Sequence, residues 1–208
     1  MAPGIESGRE PKTRPRGVVA GKGITWERDL DYALRLAKAG GKPVLLYFHN
    51  PDCVACQAQE SEAFVDGAVV SAVKEQVVPA WLPHDHIPLS SEYGVTWSPS
   101  LLVLDPEGRA HRCEIGFLPA EELVPFLLLG CAGVYFDGDK FDYAVPLLEQ
   151  LLNRHGRSAY APEARFLLGA AAWKASNDPS RLRLTYEDLQ RTWPDSLWAK
   201  KARPYTRL

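Results

Sequence analysis

The chain is short of cysteine, close to neutral, and without a long apolar run, and each of these shortages removes a class of function. Four cysteines in 208 residues are too few for a disulfide scaffold. A formal net charge of -2 gives no reason to expect nucleic acid. No apolar stretch approaches the roughly 18 residues that a membrane-spanning helix requires. The segment 1–22 holds four glycines, three prolines and several basic residues, and its largest apolar cluster is Val18, Val19 and Ala20. It has little to bury, so a disordered tail is expected. It also lacks the apolar core of a secretory signal, which points to the cytoplasm. What remains is an ordinary globular composition, 46% hydrophobic, able to build a core in one or two domains.

The informative stretch is 42–58, KPVLLYFHNPDCVACQA. Val44 to Phe48 is a continuous apolar run between Gly40, Gly41 and Pro43 on one side and Asn50 and Pro51 on the other. That is the pattern of a strand buried on both faces. Cys53 and Cys56 follow, three residues apart and next to helix-tolerant Gln57, Ala58, Gln59 and Glu60. In disulfide exchange the attacking species is a thiolate, and the unpaired amides of a helix N-terminus favour negative charge. A strand, a turn and two cysteines at a helix start are therefore suited to dithiol redox chemistry. In that reading Cys53 attacks, while Cys56, one turn further in, is shielded and resolves a mixed disulfide. The alternatives are two core cysteines or half of a zinc site. A structural zinc site needs two more ligands at similar spacing, and Cys113 and Cys131 lie far off and far apart.

Around this centre the pattern alternates strands and helices. Thr25 is expected to cap a helix with Trp26, Leu30, Ala33, Leu34 and Ala37 on its apolar face, stopped by Gly40 and Gly41. Asp66 is expected to cap a short helix through Val70 and Val73. Val77 to Leu82 reads as a strand in an edge or irregular position because of Pro79. Leu101 to Leu104, the turn DPEG and Ala110 to Ile115 read as a hairpin, and Pro119 to Leu129 as the last helix of the domain.

The order of these motifs resembles a known family. DCVAC at 52–56, FVDGAVV at 64–70, YGVTWSPSLLVLDPEG at 93–108 and GFLPAEEL at 116–123 are similar to the C-terminal, thioredoxin-fold domain of bacterial membrane thiol:disulfide interchange proteins. The resemblance implies an α/β thioredoxin fold over residues 23–130, a central mixed sheet flanked by helices. It implies a thiol-disulfide oxidoreductase acting on protein disulfides, with an electron donor still to be identified and no cofactor. It makes Cys53 the nucleophile, Cys56 the resolving thiol, and Ser98 with Pro99, across a cis bond, the substrate-facing loop. Tyr47 departs from the pattern, since it stands six residues before Cys53 where thioredoxins usually carry a buried aspartate. Glu60, one turn after Cys56, water or the substrate is then left as proton acceptor; the alternative for Glu60 is a solvated helix residue. His84, Asp85 and His86, between Pro83 and Pro88, read as a solvated loop before a metal site.

Beyond Gly130 the chain turns helical and repeats itself. Residues 151–164 align with 189–202 at a spacing of 38, matching leucine, arginine, serine, an aromatic-Ala pair and a final alanine. GVYFDGDKFDYA, with an aromatic nine residues before Ala144, resembles a tetratricopeptide repeat, and RFLLGAAAW opens a second unit. Residues 131–208 are therefore expected to form a small all-α tetratricopeptide-like module. Two units are fewer than normally stand alone, so the module is expected to lean on the first domain, and helical repeats offer surfaces for a client or partner protein.

Overall fold

The structure, a computed structural model, describes residues 18–20 and 23–207. A four-stranded sheet runs in the order β4, β3, β5, β6, from β3 (Val44–His49), β4 (Val78–Pro83), β5 (Ser100–Leu104) and β6 (Ala110–Ile115). β3 pairs parallel with β4 and antiparallel with β5, and β5 pairs antiparallel with β6. Val44, Leu46 and Phe48 pack on one face of β3 with helix α1 (Leu30–Gly40); Leu45 and Tyr47 face the other way, into a core with Phe64, Val73, Leu123 and Leu127. The continuous apolar run of β3 thus follows from cover on both sides. With helices α2 (Val54–Ala58) and α3 (Gly67–Gln76) between β3 and β4, and α5 (Ala120–Asp137) after the β5–β6 hairpin, this is a thioredoxin fold. A short α4 (Leu89–Glu92) joins β4 to the hairpin region.

Local chemistry explains most boundaries. Asp66 caps α3, accepting from the amides of Ala68 at 2.8 Å and Val69 at 3.2 Å. Pro79 sits in β4, one of the two edge strands of the sheet, whose outer side receives an isolated bridge from Glu27. The cap expected at Thr25 is corrected: Asp29 caps α1 by accepting from the Tyr32 amide at 2.9 Å. Thr25 and Trp26 belong instead to β2 (Ile24–Trp26), which pairs antiparallel with β1 (Val18–Ala20). Ile24 and Trp26 are buried around exposed Thr25, the alternation of a strand. The expected tail therefore includes one short strand, and the rest of that expectation lies outside the described residues.

The helix expected to stop at Leu129 runs on to Asp137, so the boundary expected at 130/131 falls inside it. Gly130 does not stop the helix; it lets α5 approach β5, because a Cβ there would sit 2.6 Å from Val103 Cγ2. Helices α6 (Phe141–His155), α7 (Ala161–Ser176), α8 (Ser180–Thr192) and α9 (Leu197–Ala202) follow, each packed against the next, and a 3₁₀ turn (Arg203–Arg207) ends the described chain. The 38-residue periodicity has a structural counterpart. Leu151, Ala161 and Ala164 around the α6–α7 junction and Leu189, Ala199 and Ala202 around the α8–α9 junction are all fully buried. Ala144, Leu148, Leu151, Ala161 and Ala164 belong to the same core cluster as Tyr47 and Phe64, so these helices lean on the sheet domain through α5.

Candidate functional site

At the end of β3 the chain turns on Asn50, whose side-chain oxygen accepts from the Asp52 amide at 3.0 Å and whose carbonyl accepts from the Cys53 amide at 3.1 Å. This turn delivers Cys53 as the N-cap of α2, with its Sγ accepting from the Cys56 amide at 3.2 Å. The capping role that serine or aspartate usually fills falls here to a sulfur. Cys53 is partly accessible, and its thiol donates to the Ser98 carbonyl at 3.3 Å. Cys56 is 1% exposed and accepts from the Asn50 amide at 3.4 Å. Burial pushes the Cys56 thiol up to about 11, with the Cys53 side chain adding to the shift. Ser98–Pro99 is cis and Pro99 is buried, as a second cis bond, Ile87–Pro88, forms nearby in sequence. Val54 and Trp97 stand exposed at 79% and 67%, one beside each half of this centre in the chain.

Behind the dithiol lies a polar cluster. The Tyr47 hydroxyl donates to Glu60 Oε1 at 3.2 Å. His49 Nδ1 lies 3.6 Å from Glu60 Oε1. The Arg28 guanidinium covers the Trp81 ring at 3.7 Å, and the Trp81 and His49 rings are 4.3 Å apart. Burial raises the Glu60 carboxyl, against the Tyr47 hydrogen bond and the Arg28 charge, which lower it. Burial, then the Arg28 charge, holds His49 down at about 4, so the imidazole is neutral near neutrality. The Tyr47 phenol is pushed far up by burial and by the Glu60 charge, and keeps its proton.

Glu60 stands in a π-helical turn (Gln59–Ala63) that continues α2, a local widening that often accompanies functional sites. Beside it Gln59, fully buried, donates to the Leu118 carbonyl at 3.1 Å and accepts from the Leu118 amide at 2.8 Å. The site residues read from sequence, Cys53, Cys56, Glu60, Ser98 and Pro99, are thus brought to one end of the sheet. Cys113, exposed on β6, and Cys131, fully buried in α5, are not part of this cluster. His84, Asp85 and His86 are exposed, and among the described residues no group of His, Cys, Asp or Glu is arranged to hold a metal. Arg28, His49 and Trp81 escaped the sequence reading. His49 follows Tyr47 by two residues on a strand, so period-two alternation carried a signal for it; Arg28 arrives from the bend between β2 and α1 and Trp81 from β4, and neither left one.

Residues 30–129 match the family model of the thioredoxin-like domain. No curated protein matches the chain. Among solved structures, a thioredoxin from Thermus thermophilus is 26% identical, aligned over 53% of this chain and 90% of its own, with a TM-score of 0.49. The reduced C-terminal domain of DsbD from Neisseria meningitidis is 21% identical over 49% of this chain and 93% of its own, with a TM-score of 0.44. The family match covers the sheet, the dithiol and α5 as far as Leu129, and no part of α6 to α9. Among the described residues no helix is long and apolar enough to cross a membrane.

Proposed function

We propose that this thioredoxin-like domain is a thiol-disulfide oxidoreductase that acts on protein disulfides through Cys53 and Cys56. The observation that carries the reading is the accessible Cys53 sulfur, held at a helix start 3.2 Å from the Cys56 amide and 3.3 Å from the carbonyl before a cis-proline. Cys53, as thiolate, attacks one sulfur of a substrate disulfide; that S–S bond breaks, a mixed disulfide forms, and the first substrate thiolate leaves and takes a proton. Cys56 then loses its proton and attacks Cys53 Sγ. The Cys53–Cys56 disulfide forms, the second substrate thiolate is released, and two electrons have passed from the dithiol to the substrate. A dithiol donor resets the cycle. Ser98 and Pro99 line the substrate side, and Glu60 serves as the acid-base group for Cys56.

In the same proposal residues 23–130 carry the redox domain and residues 131–208 a tetratricopeptide-like module that recruits clients, the two sharing the continuous helix α5. An open apolar cavity of about 580 Å³ between α6 and α7, lined by Phe141, Val145, Pro146 and Leu168 among others, supports the recruiting role. The test is reduction of insulin with dithiothreitol as donor. Turnover should vanish in Cys53→Ser and persist in a Cys113→Ser, Cys131→Ala double variant. Client holding that ignores Cys53 and Cys56, with no insulin turnover in the parent, would make the chain an adaptor with an idle dithiol.

A further inference from the structure

The open groove between α6 and α7 is apolar along its floor and acidic along one rim. We propose that it takes an amphipathic helix of a client protein, apolar on the face laid into the groove and basic along one edge. The inference rests on the recruiting role given to these helices and names the kind of segment they recruit. The groove, about 580 Å³, lies where the first half of α6 runs beside the second half of α7. From α7 it is lined by Leu168, Ala171, Ala172 and Ala175, a spacing that keeps all four on one helix face over two turns. From α6 come Val145 and Pro146 between Asp142 and Glu149. The small alanines leave room for the side chains of a third helix, whose anchors at i, i+3, i+4 and i+7 would enter between the two.

Charge decides what kind of helix fits. Asp142 and Glu149 are the charged residues of the lining, and among the described residues no lysine, arginine or histidine joins them there. Both are exposed, and neither is in an ion pair among the described residues. Lys174, from α7, is engaged by Asp139 at 3.0 Å. A partner that covers this groove takes water from two carboxylates, and cations at its edge offset that loss. The two acids are seven residues apart, about 10.5 Å along α6. Lysines or arginines at the same spacing on a helix laid along α6 meet both at once. The chain closes the neighbouring groove in just this manner. Its α9 packs on both α7 and α8, with the Trp198 ring 5.0 Å from Phe166 and with Ala199 and Ala202 fully buried, while Lys200 and Lys201 stay exposed. A short helix with small and aromatic residues inward and lysines outward is therefore a form that this fold already accepts between two of its helices.

The experiment is fluorescence anisotropy of the full chain with fluorescein-labelled, cysteine-free helical peptides of about 18 residues. One carries leucines on one face and lysines seven residues apart along its edge; the second has glutamates in place of those lysines; the third keeps the lysines and scrambles the leucines. The lysine peptide should bind about tenfold or more tightly than the glutamate peptide in about 20 mM salt, and the gap should narrow in about 0.5 M salt. Scrambling the leucines should weaken binding about tenfold. Asp142→Lys together with Glu149→Lys should reverse the order of the lysine and glutamate peptides. Because Asp142 stands in the first turn of α6, where a lysine opposes the helix dipole, Glu149→Lys alone is the second variant and should shrink the gap severalfold. Equal affinity for the lysine and glutamate peptides, or a gap unmoved by Glu149→Lys, would overturn the proposal. So would a scrambled peptide that binds as tightly as the amphipathic one, since charge alone would then be at work. A chain that ignores all three peptides yet holds reduced, carboxymethylated α-lactalbumin refutes the helix and leaves the recruiting role standing; one that holds neither loses both. Insulin turnover of the parent reads the dithiol separately.

Discussion

His49 ties the stability of the fold to pH. Its side chain is 12% exposed, its ring lies 4.3 Å from Trp81, and its folded value of about 4 stands against 6.5 for a free imidazole. The unfolded chain therefore takes up this proton first as pH falls. The stability His49 contributes is fully present above 6.5 and is lost as pH drops towards 4. Linkage over that window removes about 2 kcal/mol between about pH 7 and about pH 4.5. Glu60 works in the opposite sense: its raised carboxyl favours the folded state at low pH and loses that contribution as pH rises from its ordinary value through the raised one. Other carboxylates titrate nearby, so the assay is a difference. Urea unfolding of the parent and of His49→Phe is followed at steps from pH 7 to 4.5, and the gap between their free energies is plotted. The gap should close by about 2 kcal/mol in favour of the variant on acidification. A gap independent of pH would mean that His49 is not held neutral by burial, and the account of the cluster behind the dithiol would fail with it.

Iodoacetamide at about pH 8 should modify Cys53 well before Cys56, because Cys56 is 1% exposed and its thiol is held up at about 11; equal labelling on peptide mapping would contradict that burial. On α5, Gly130→Ala should destabilise by about 1–2 kcal/mol, the overpacking against Val103 exceeding the gain in helix propensity. Gly133→Ala on the same helix meets nothing within 4 Å and should stabilise by about 0.5–1 kcal/mol; thermal unfolding of the two variants checks both signs, and equal shifts would refute the close approach of α5 to β5.

What could be read in the sequence was local. The run Val44 to Phe48 announces a strand covered on both faces, Asp66 announces a cap, and DPEG announces a turn, because each signal and its cause lie within a few residues. Where reading failed, tertiary contact had overridden a local pattern. Trp26 shares a helical spacing with Leu30 and Ala33, but its burial comes from Tyr47 and Phe64, whose rings lie 5.8 and 4.9 Å away, and it sits on a strand. Gly130 looks like a break in composition, and its reason is Val103 on β5, which only the folded chain brings beside it. The site divides the same way. The two cysteines and Glu60 lie within one turn or two of each other, whereas Arg28, His49 and Trp81 meet only once β2, β3 and β4 are assembled.

The C-terminal helices bear on the dithiol through a continuous line of contacts. Cys56 lies in the middle of the short α2, and the next turn is held by Gln59, whose side-chain amide pairs with both the amide and the carbonyl of Leu118. Leu118 leads into α5, and α5 is fixed on its far side by α6 and α7 through one shared apolar cluster. Polar ties close the joint: Tyr160 donates to Glu114 at 2.8 Å, Arg112 pairs with Glu163, and His111 lies 2.7 Å from Asp137 and 3.1 Å from Asp105. A helix of five residues has little stability of its own, so the order of the turn bearing Cys56 and Glu60 depends on what holds Leu118. The helices after α5 therefore brace the turn that bears Cys56 and Glu60 as well as extending the surface of the molecule.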